Sequence, residues 1–434
     1  MTNENLVVEY LSVHDIKPYK TNPRTHADKQ VHQIANSITE FRFNNPLLVD
    51  ENNEIIAGHA RLMAAQRLKM ERVPVIRLSH LTPQQKRLYR IADNRLTEKG
   101  QWDVDLLKFE FGELEALNLD IDLTITGFEM GELDVMLAQS TADEELNKAP
   151  FIAPGEIVSK PGDIWLLGKH RIICGDSLKR ETFEALMGDK RADVVFEDSP
   201  YNMRINGEVC GKGSAKHAEF AFASGEMSSE EFQNFLKTNF SLAAEFSKDG
   251  SIHFQCMSWR SVKEIMLAAE GVYTELKNVC VWCKSNAGMG SLYRSQHELI
   301  FVFKNGTAPH INNVELGKNG RYRTNVWFYR GLNSFGSDRE LLNMHPTVKP
   351  VEMIVEALLD VSNRGGIVLD GFAGSGSTLI AAEKTKRICY GIELEPLYID
   401  TTIRRFETLT GKDAVHAASG KTYKEVLQEK KNDK

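Results

Sequence analysis

Short apolar runs separated by amphipathic stretches dominate the chain beyond residue 160. Eight of these runs have the length, composition and flanking turn residues typical of strands. They are Ile164–Leu167, Arg171–Cys174, Val194–Phe196, Ser251–Gln255, Val279–Trp282, Leu299–Phe303, Ile367–Leu369 and Ile388–Ile392. Helical patterns lie between several of them, including Ser228–Phe246 and Val351–Val361. Alternating strands and helices predict an α/β fold with a mostly parallel, doubly wound sheet.

A second pattern occupies the first hundred residues. Ile34–Val49 predicts a helix followed by a strand, and Ile56–Ala65 predicts a strand that ends at Gly58 before another helix. These elements indicate a small α+β domain. Because 434 residues are too many for one hydrophobic core, we expect several segments. They are an α+β domain (1–100), an acidic helical connector (101–152), the doubly wound domain (153–417) and a charged tail (418–434).

Charge is unevenly distributed along the chain. The formal net charge is −7, with 15 Lys and Arg against 11 Asp and Glu in residues 1–100, and 2 against 13 in residues 101–150. The acidity therefore lies in the connector and does not argue against a nucleic-acid partner, because local patches matter more than the total. Leu106 and Phe109 indicate short amphipathic helices there, followed by a flexible polar joint over 141–150. A solvated linker is favoured over an acidic mimic that covers a basic groove.

Two other classes of protein are disfavoured by composition. The chain has no run of about twenty apolar residues, which a membrane-spanning helix requires. It begins without the basic and apolar regions of a signal peptide, and its six cysteines lack the spacing of a disulfide scaffold. We therefore expect a cytoplasmic protein without membrane contact. Cys280 and Cys283 have zinc-ligand spacing but no second pair, and they lie in a predicted strand, so no metal site is expected.

Candidate chemistry is found at three strand ends. Ile367–Thr378 reads as a strand that ends in Asp370, a glycine turn and the start of a helix. The next strand ends in Glu393, whose carboxylate can accept hydrogen bonds from ribose hydroxyls. No lysine of a phosphate-binding loop follows the glycines, so a cofactor that needs no phosphate cradle fits better. Far upstream, Asp198-Ser199-Pro200-Tyr201 follows another strand and combines an acid, a proline turn and an aromatic ring.

With the Asp198–Tyr201 motif first along the chain and the glycine turn after Asp370 last, the motifs resemble those of the beta class of amino-methyltransferases that act on DNA bases. The resemblance implies a Rossmann-like, doubly wound sheet that binds S-adenosylmethionine. It implies that Asp370 faces the amino group of this cofactor and that Glu393 binds its ribose. Lys349, within His345–Pro350, is the implied partner of its carboxylate. The other implied cofactor-binding residues are Asp176, Ser177, Phe372, Gly374, Ser375, Gly376, Ser377 and Thr378.

Asp198, Ser199, Pro200 and Tyr201 are the implied catalytic residues. An exocyclic amino group of adenine or cytosine is a poor nucleophile, because its lone pair is delocalised into the ring. The Asp198 carboxylate and a backbone carbonyl held outward by Pro200 would draw this nitrogen towards a tetrahedral geometry, while Tyr201 stacks on the flipped base. Members of this class more commonly have proline at the position of Ser199. The departure is tolerable because the acceptor is a backbone carbonyl and not the side chain. An acid at the first position favours adenine N6, and cytosine N4 is the alternative.

Basic and aromatic residues in the second half of the chain suit contact with DNA. Their side chains can bind phosphates and reach base edges. The predicted DNA-binding residues of this region are Arg294, Arg321, Arg323 and Arg330. The segment 204–225, rich in Gly, Ala, Lys and His, is a candidate mobile loop over the DNA.

The first hundred residues resemble the ParB-like N-terminal domain of partition proteins, through Asn22-Pro23-Arg24, Ile34–Val49 and Ile56–Ala65. The helix after Gly58 offers free backbone N–H groups, and Arg61 would face the same site, which suits a phosphate. Partition proteins that bind and hydrolyse CTP have a glutamate and paired arginines after this glycine, whereas this chain has His-Ala-Arg. A module that binds nucleotide or DNA phosphate and a fold retained for docking are therefore equally open.

These expectations combine into one reading of the chain. We expect a site-specific enzyme that transfers methyl groups from S-adenosylmethionine to adenine N6 in double-stranded DNA, as in restriction-modification systems, and that can form a homodimer. The alternatives are an N4-cytosine enzyme and a ParB-like DNA-binding protein whose methyltransferase domain is secondary. The intact Asp198, Tyr201, Asp370 and Glu393 favour an enzyme.

Overall fold

The apolar runs of the sequence form strands of a large sheet in the computed structural model of the protein. The structure describes residues 6–117, 122–137, 152, 156–202, 225–285, 287, 292–317, 321–330 and 349–432. The chain divides into two units, Met1–Leu137 and Ala138–Lys434. The predicted joint at 141–150, nearly all of the predicted loop 204–225 and the motif residues 345–348 lie outside the described residues. The boundaries between the four predicted segments stay predictions.

The first unit contains a mixed four-stranded sheet. Its strands are β1 (Val8–Ser12), β2 (Leu47–Val49), β3 (Ile55–Ala57) and β4 (Arg72–Arg77). Its helices are α1 (Asp28–Phe41), α2 (His59–Arg67), α3 (Pro83–Thr97), α4 (Val104–Ala116) and α5 (Met130–Leu137). The strand order is β1-β4-β2-β3, with β2 parallel to β4 and the other pairs antiparallel. The predicted α+β class is therefore confirmed.

Gly58 determines how β3 passes into α2. Its φ of 103° lies in the left-handed region that favours glycine, and a Cβ there would lie 2.7 Å from Leu47 Cδ2. Leu47 belongs to the buried core of the unit, together with Val49, Ile55, Leu62, Val73 and Val75. The turn that the sequence indicated at Gly58 is thus fixed by both backbone conformation and packing.

The second unit is built on a ten-stranded sheet. Its strands are β5 (Ile164–Leu167), β6 (His170–Cys174), β7 (Ala192–Glu197), β8 (Ser247–Met257), β9 (Glu275–Cys283), β10 (His297–Lys304), β11 (Val326–Phe328), β12 (Ile367–Asp370), β13 (Ile388–Glu393) and β14 (Val415–His416). Its helices are α6 (Arg180–Met187), α7 (Ser229–Glu245), α8 (Val262–Ala269), α9 (Val351–Val361), α10 (Ser377–Lys384), α11 (Pro396–Thr410) and α12 (Tyr423–Asn432).

The order of strands in this sheet is β11-β9-β10-β8-β7-β12-β13-β6-β5-β14. The central strands β8, β7, β12, β13 and β6 are parallel, whereas β10 and β5 join them as antiparallel neighbours. All eight predicted strands are present, and α9 has its predicted bounds. The apolar pattern does not reveal β11 and β14, since three and two residues are too short to show a period. The predicted Rossmann-like, doubly wound fold is confirmed.

The sheet topology brings the distant motifs together. β12 lies between β7 and β13, and the three strands are parallel, so their carboxyl ends share one edge. Val194, Val195, Val368 and Leu369 are buried, as expected for central strands covered on both faces. Asp198, Asp370 and Glu393 follow or end these strands and therefore lie along the same edge.

Candidate active site

Asp198 is the centre of a hydrogen-bonded cluster at the end of β7. Its Oδ1 accepts a hydrogen bond from the Tyr201 hydroxyl at 2.8 Å, and its Oδ2 accepts one from Lys349 Nζ at 2.6 Å. Lys349 Nζ also donates to the Tyr201 hydroxyl at 3.1 Å. The Asp198 side chain is 20% exposed and that of Lys349 is 5% exposed, so Asp198 is the more open member of the pair.

Glu298 belongs to this cluster, although sequence reasoning did not select it. Its Oε2 lies 3.0 Å from Lys349 Nζ and 3.0 Å from the Tyr201 hydroxyl, and its Oε1 accepts from Lys284. The predicted strand Leu299–Phe303 stops one residue short of it, but the structure extends β10 to His297. The signal available in the sequence was an acid at the start of a strand that is otherwise apolar. The position of Glu298 opposite Trp282 on β9 depends on the register of long-range strand pairing.

The cluster contains two acids, Asp198 and Glu298, and two lysines, Lys349 and Lys284, whose charges balance. Burial raises the pKa of Asp198, against the opposing effect of Lys349. Burial also disfavours the charge of Glu298, but Lys349 and Lys284 outweigh it and hold the pKa of Glu298 at about 2. Although burial alone would lower it, the two carboxylates raise the pKa of Lys349. Lys349 therefore carries a firmly held positive charge.

The geometry places Lys349 differently from the sequence expectation. The resemblance implies a contact with the cofactor's carboxylate, whereas the structure pairs its ammonium with Asp198 and Glu298. Its three donor hydrogens are matched by Asp198, Glu298 and Tyr201. The structure thus places Lys349 at the Asp198–Tyr201 motif.

Ser199 and Pro200 complete the turn after Asp198. Ser199 is 2% exposed, and its hydroxyl has no hydrogen-bond partner within the described part of the chain. The role of the carbonyl stays a prediction.

Glu197 joins this turn to the glycine turn after β12. It is fully buried and accepts hydrogen bonds from Gln255 Nε2 at 2.6 Å and from the Gly371 N–H at 3.1 Å. Burial raises the pKa of Glu197 to about 7. A Cβ on Gly371 would lie 2.5 Å from Glu197 Oε1, which explains glycine at that position. The two motifs are therefore mechanically linked through one buried acid that the sequence did not single out.

The glycine turn between β12 and α10 is folded around two acids. Asp370 is buried, and its Oδ1 accepts from the Phe372 N–H at 2.9 Å. Glu393 Oε2 accepts from the Gly374 N–H at 2.8 Å. Gly374 and Gly376 have φ of 52° and 85°, which lets the backbone curl towards Glu393 before α10 begins.

A buried arginine on α11 supports this turn from behind. Arg405 NH1 donates to the Ser375 carbonyl at 2.6 Å and to the hydroxyls of Ser375 at 3.2 Å and Ser377 at 3.4 Å. Thr402 Oγ1 donates to the Gly374 carbonyl at 3.2 Å. These serines therefore hold the loop, and Ser375 and Ser377 are only 5% and 8% exposed. Nothing in the local sequence of α11 marks Arg405, because its role depends on helix packing.

The segment that contains the implied cofactor-binding residues Asp176 and Ser177 lies beside Glu393. The Gly175 N–H donates to the Glu393 carbonyl at 2.9 Å, and Asp176 Oδ1 accepts from the Leu178 N–H at 2.9 Å. Asp176 Oδ2 is 3.8 Å from Lys179 Nζ, and Ser177 is buried. The structure thus brings Asp176, Ser177, Asp370 and Glu393 to one region of the sheet edge.

The charges at this edge fit a cationic ligand that carries hydroxyl groups. Burial raises the pKa of Asp370 to about 7, although the Thr378 hydroxyl and the Phe372 N–H oppose the shift. Burial likewise raises the pKa of Glu393 to about 7. A buried carboxylate with a raised pKa is stabilised as an anion by a positive neighbour. These two carboxyl groups therefore fit the cofactor that the sequence resemblance implies.

Two of the predicted DNA-binding arginines are committed to a buried ion-pair network. Arg321 is 8% exposed, and its NH2 lies 2.6 Å from Asp360 Oδ1 and 2.9 Å from Glu356 Oε2. Arg323 Nε lies 3.1 Å from Asp360 Oδ2. Because both guanidinium groups are neutralised by carboxylates of α9, the structure argues against direct phosphate contact by Arg321 and Arg323.

The other two arginines of that set are exposed. Arg294 precedes β10 and Arg330 follows β11, and both are on the surface of the second unit. These two remain candidates for DNA contact.

Arg61 lines a cavity of about 700 Å³ in the first unit. Its NH1 donates to the carbonyls of Asn45 at 2.6 Å and Pro46 at 3.1 Å. Arg24 lines the same cavity and donates to Asn94 Oδ1 at 2.7 Å, which joins the segment around Arg24 to α3. Burial lowers the pKa of Arg61, against the opposing effect of Asp93. The predicted anion-binding turn thus opens onto a cavity lined by both polar and apolar side chains.

Within the described ranges, no group of three or more His, Cys, Asp or Glu side chains could hold a metal ion. None of the helices in these ranges combines the length and apolar composition of a membrane span.

Comparison with known protein families identifies three parts of the chain. The DNA methylase family of N6 and N4 enzymes matches residues 192–404. The ParB N-terminal domain matches residues 1–94. Residues 192–404 therefore form a domain of the N6/N4 DNA methylases, and residues 1–94 form a ParB-like N-terminal domain. A third family, the ParB-methyltransferase HTH domain, matches residues 105–161 of this methylase and overlaps the predicted connector.

Individual relatives cover different parts of this DNA methylase. The ParB-like nuclease domain-containing protein YnaK of Escherichia coli K12 is 51% identical over 84 residues, which are 19% of this chain and 97% of YnaK. The type II methyltransferase M2.MboI of Moraxella bovis is 25% identical over 232 residues, 51% of this chain and 83% of its own. The solved M1.HpyAVI–SAM complex is 20% identical, covers 54% of this chain and 97% of its own, and has a TM-score of 0.38.

Proposed function

We propose that this DNA methylase transfers a methyl group from S-adenosylmethionine to N6 of adenine in double-stranded DNA. The observation that carries the proposal is the shared sheet edge, where Asp198 and Tyr201 lie beside the acids Asp370 and Glu393. Asp198 and Tyr201 can engage an amino group, and Asp370 and Glu393 fit a cationic, ribose-bearing cofactor. The type II methyltransferases among its relatives support the same class of reaction.

S-adenosylmethionine is the cofactor, and when bound it supplies an electrophilic methyl group on positively charged sulfur. Asp370 and Glu393 would hold its amino group and its ribose, with Asp176 and Ser177 beside the adenine. The tight turn at Gly374–Thr378, clamped by Arg405, shapes the backbone that would face its methionine part.

Asp198 performs the central task on the DNA side. Its carboxylate accepts a hydrogen bond from the target amino group and so increases the electron density on that nitrogen. After methylation the nitrogen carries a positive charge, which the Asp198 carboxylate stabilises until one proton leaves for the carboxylate or for water. Tyr201 is held by hydrogen bonds at its hydroxyl, which orients the ring for stacking on the flipped base.

The choice of adenine depends on the first residue of the Asp198–Tyr201 motif. An acid at this position is typical of N6-adenine enzymes, and Asp198 supports that assignment. The N4-cytosine reaction uses the same amino-group chemistry and is the alternative outcome of the test below.

The test uses the full chain with tritiated S-adenosylmethionine and plasmid DNA from a host without DNA methyltransferases. We expect tritium in the DNA and N6-methyladenine among the digested nucleosides measured by mass spectrometry. Asp198→Ala should lower turnover on the order of a hundredfold, since it removes a preorganised acceptor, while cofactor binding stays near wild type. N4-methylcytosine alone would reverse the base assignment, and unaltered turnover of Asp198→Ala would contradict the mechanism.

For the ParB-like unit we propose a role in DNA engagement without catalysis. It carries net positive charge in residues 1–100, and Arg61 and Arg24 line its cavity. A homodimer and a cognate restriction enzyme are compatible with this proposal, and analytical ultracentrifugation of the purified chain would establish the oligomeric state.

A further inference from the structure

The target amino group of the base must displace a group that already occupies Asp198. Both carboxylate oxygens of Asp198 have partners, Tyr201 on Oδ1 and Lys349 on Oδ2. The Lys349 ammonium is a nitrogen donor of the same kind as the amino group that Asp198 is built to receive. It lies 2.6 Å from the acceptor oxygen, the distance of a charge-assisted hydrogen bond. Lys349 therefore fills the position that Asp198 offers to an amino group.

The free-energy cost of moving a buried ammonium away from Asp198 would be prohibitive without another anion nearby. Glu298 supplies that anion, because its Oε2 is already 3.0 Å from Lys349 Nζ. The Tyr201 hydroxyl, 3.1 Å from the same nitrogen, bridges the two carboxylates. The Trp282 ring adds a cation–π contact, with its centroid 5.7 Å from Nζ. Lys349 can thus release Asp198 and keep three favourable contacts.

We propose that Glu298 is a positioning residue that retains the Lys349 ammonium when the target amino group displaces it from Asp198. This proposal rests on the proposed function, since it assigns a further residue to the same reaction. Lys284 serves the same arrangement by binding the other oxygen of Glu298, which keeps Glu298 ionised and in place. The four charges balance before and after the exchange, so base entry leaves no unpaired charge in the site.

Kinetics of the full chain test the exchange. Glu298→Gln leaves Lys349 with Asp198 as its sole carboxylate partner, which strengthens the competition with the base. The KM for plasmid DNA should rise by about tenfold, the order expected for one charge-assisted hydrogen bond. The double variant Glu298→Gln/Lys349→Met removes the competitor, so its KM should return towards wild type when the assay pH is high enough to ionise Asp198. A merely structural loss would not be reversed by a second substitution.

Further variants separate charge from position. Lys349→Met should shift the acidic limb of the pH–rate profile upward by about one unit or more, because Asp198 loses its neighbouring cation. Lys349→Arg keeps the positive charge and should keep that limb in place. Lys304→Met, at the opposite end of β10 from Glu298, removes one lysine charge away from the cluster and should leave KM and the profile unchanged.

A labelling experiment tests the same proposal without any methyl transfer. Lysines are acetylated with acetic anhydride, and the rate at Lys349 is compared with that at Lys304 by peptide mass spectrometry. Lys349 should react more slowly than Lys304 in wild type and in Asp198→Asn, because Glu298 still holds it. It should become reactive in the double variant Asp198→Asn/Glu298→Gln.

Two results would overturn the proposal. One is an unchanged KM for DNA in Glu298→Gln, and the other is full reactivity of Lys349 in Asp198→Asn alone. Absence of methyl transfer by wild type would instead contradict the proposed function, and the labelling rates would still decide whether Glu298 retains Lys349.

Discussion

Asp370 is a buried acid and Glu393 a half-buried one at the ends of neighbouring strands, and burial raises the pKa of each to about 7. Both values lie above those of the free side chains, so below about pH 7 these carboxyls are largely neutral. A cationic ligand prefers the ionised form, lowers both pKa values and releases protons when it binds. Affinity for S-adenosylmethionine should therefore increase as pH rises from about 6 to about 8 and level off above that.

Isothermal titration calorimetry at several pH values, in buffers of different ionisation enthalpy, measures both the affinity and the protons released. Glu393→Gln removes one titrating group and should flatten the pH dependence as well as weaken binding. Asp163→Asn is the matched control, because Asp163 is an acid of the same unit that accepts from the Lys160 N–H outside the cofactor residues. An affinity independent of pH across this range would contradict the role assigned to these two acids.

At the scale of secondary-structure elements, local pattern predicted most of the second unit. The central strands are continuous apolar runs between turn residues, and the acids at their ends mark the functional edge. Glu298 and Arg405 could not be predicted, because their contacts depend on strand register and on the packing of α11. The same limit explains Arg321: a basic side chain near aromatic residues suggests DNA contact, but its carboxylate partners lie on α9, distant in sequence.

The turn between β12 and α10 tolerates no side chain at Gly376. Its φ is 85°, and a Cβ there would lie 2.6 Å from Thr402 Cγ2. In Gly376→Ala, the left-handed backbone costs about 1–2 kcal/mol. Steric overlap with Thr402 adds about 1–3 kcal/mol. We expect a lower melting temperature and at least about tenfold weaker binding of S-adenosylmethionine, because the loop backbone must move.

Gly365→Ala is the matched control for this substitution. Gly365 also has a left-handed φ, 76°, but a Cβ there meets nothing within 4 Å. It should therefore incur the backbone cost alone, with a smaller loss of melting temperature and near-normal cofactor binding. Equal effects of the two substitutions on both quantities would show that the contact with Thr402 is unimportant.

At the scale of the whole molecule, every residue assigned to the cofactor lies in the second unit, Ala138–Lys434. A fragment with these bounds has its own sheet and buried core, so it should fold and bind S-adenosylmethionine with an affinity near that of the full chain. Circular dichroism establishes that the fragment is folded, and calorimetry measures its affinity. A folded fragment that binds no cofactor would mean that the ParB-like unit completes the pocket.

The ParB-like unit should contribute to DNA affinity through few, charge-based contacts. Arg61 lines its cavity beside the amino end of α2, where backbone N–H groups and a positive charge favour a phosphate. Arg61→Ala should weaken binding to plasmid DNA and reduce the slope of log affinity against log salt by about one, since one fewer counterion is released. Turnover at saturating DNA should stay near wild type, because the residues of the reaction lie in the other unit.

Arg67→Ala is the control for that experiment, because Arg67 lies on the same helix but is paired with Asp28 at 2.7 Å. A surface charge that is already neutralised by a carboxylate has less to offer a phosphate, so its loss should change the salt slope less than the loss of Arg61. The measurement is fluorescence anisotropy of labelled duplex DNA over a salt series, run for wild type and both variants. Equal slopes for wild type and Arg61→Ala would show that the cavity does not contact DNA phosphate, and the docking interpretation of this unit would then be favoured.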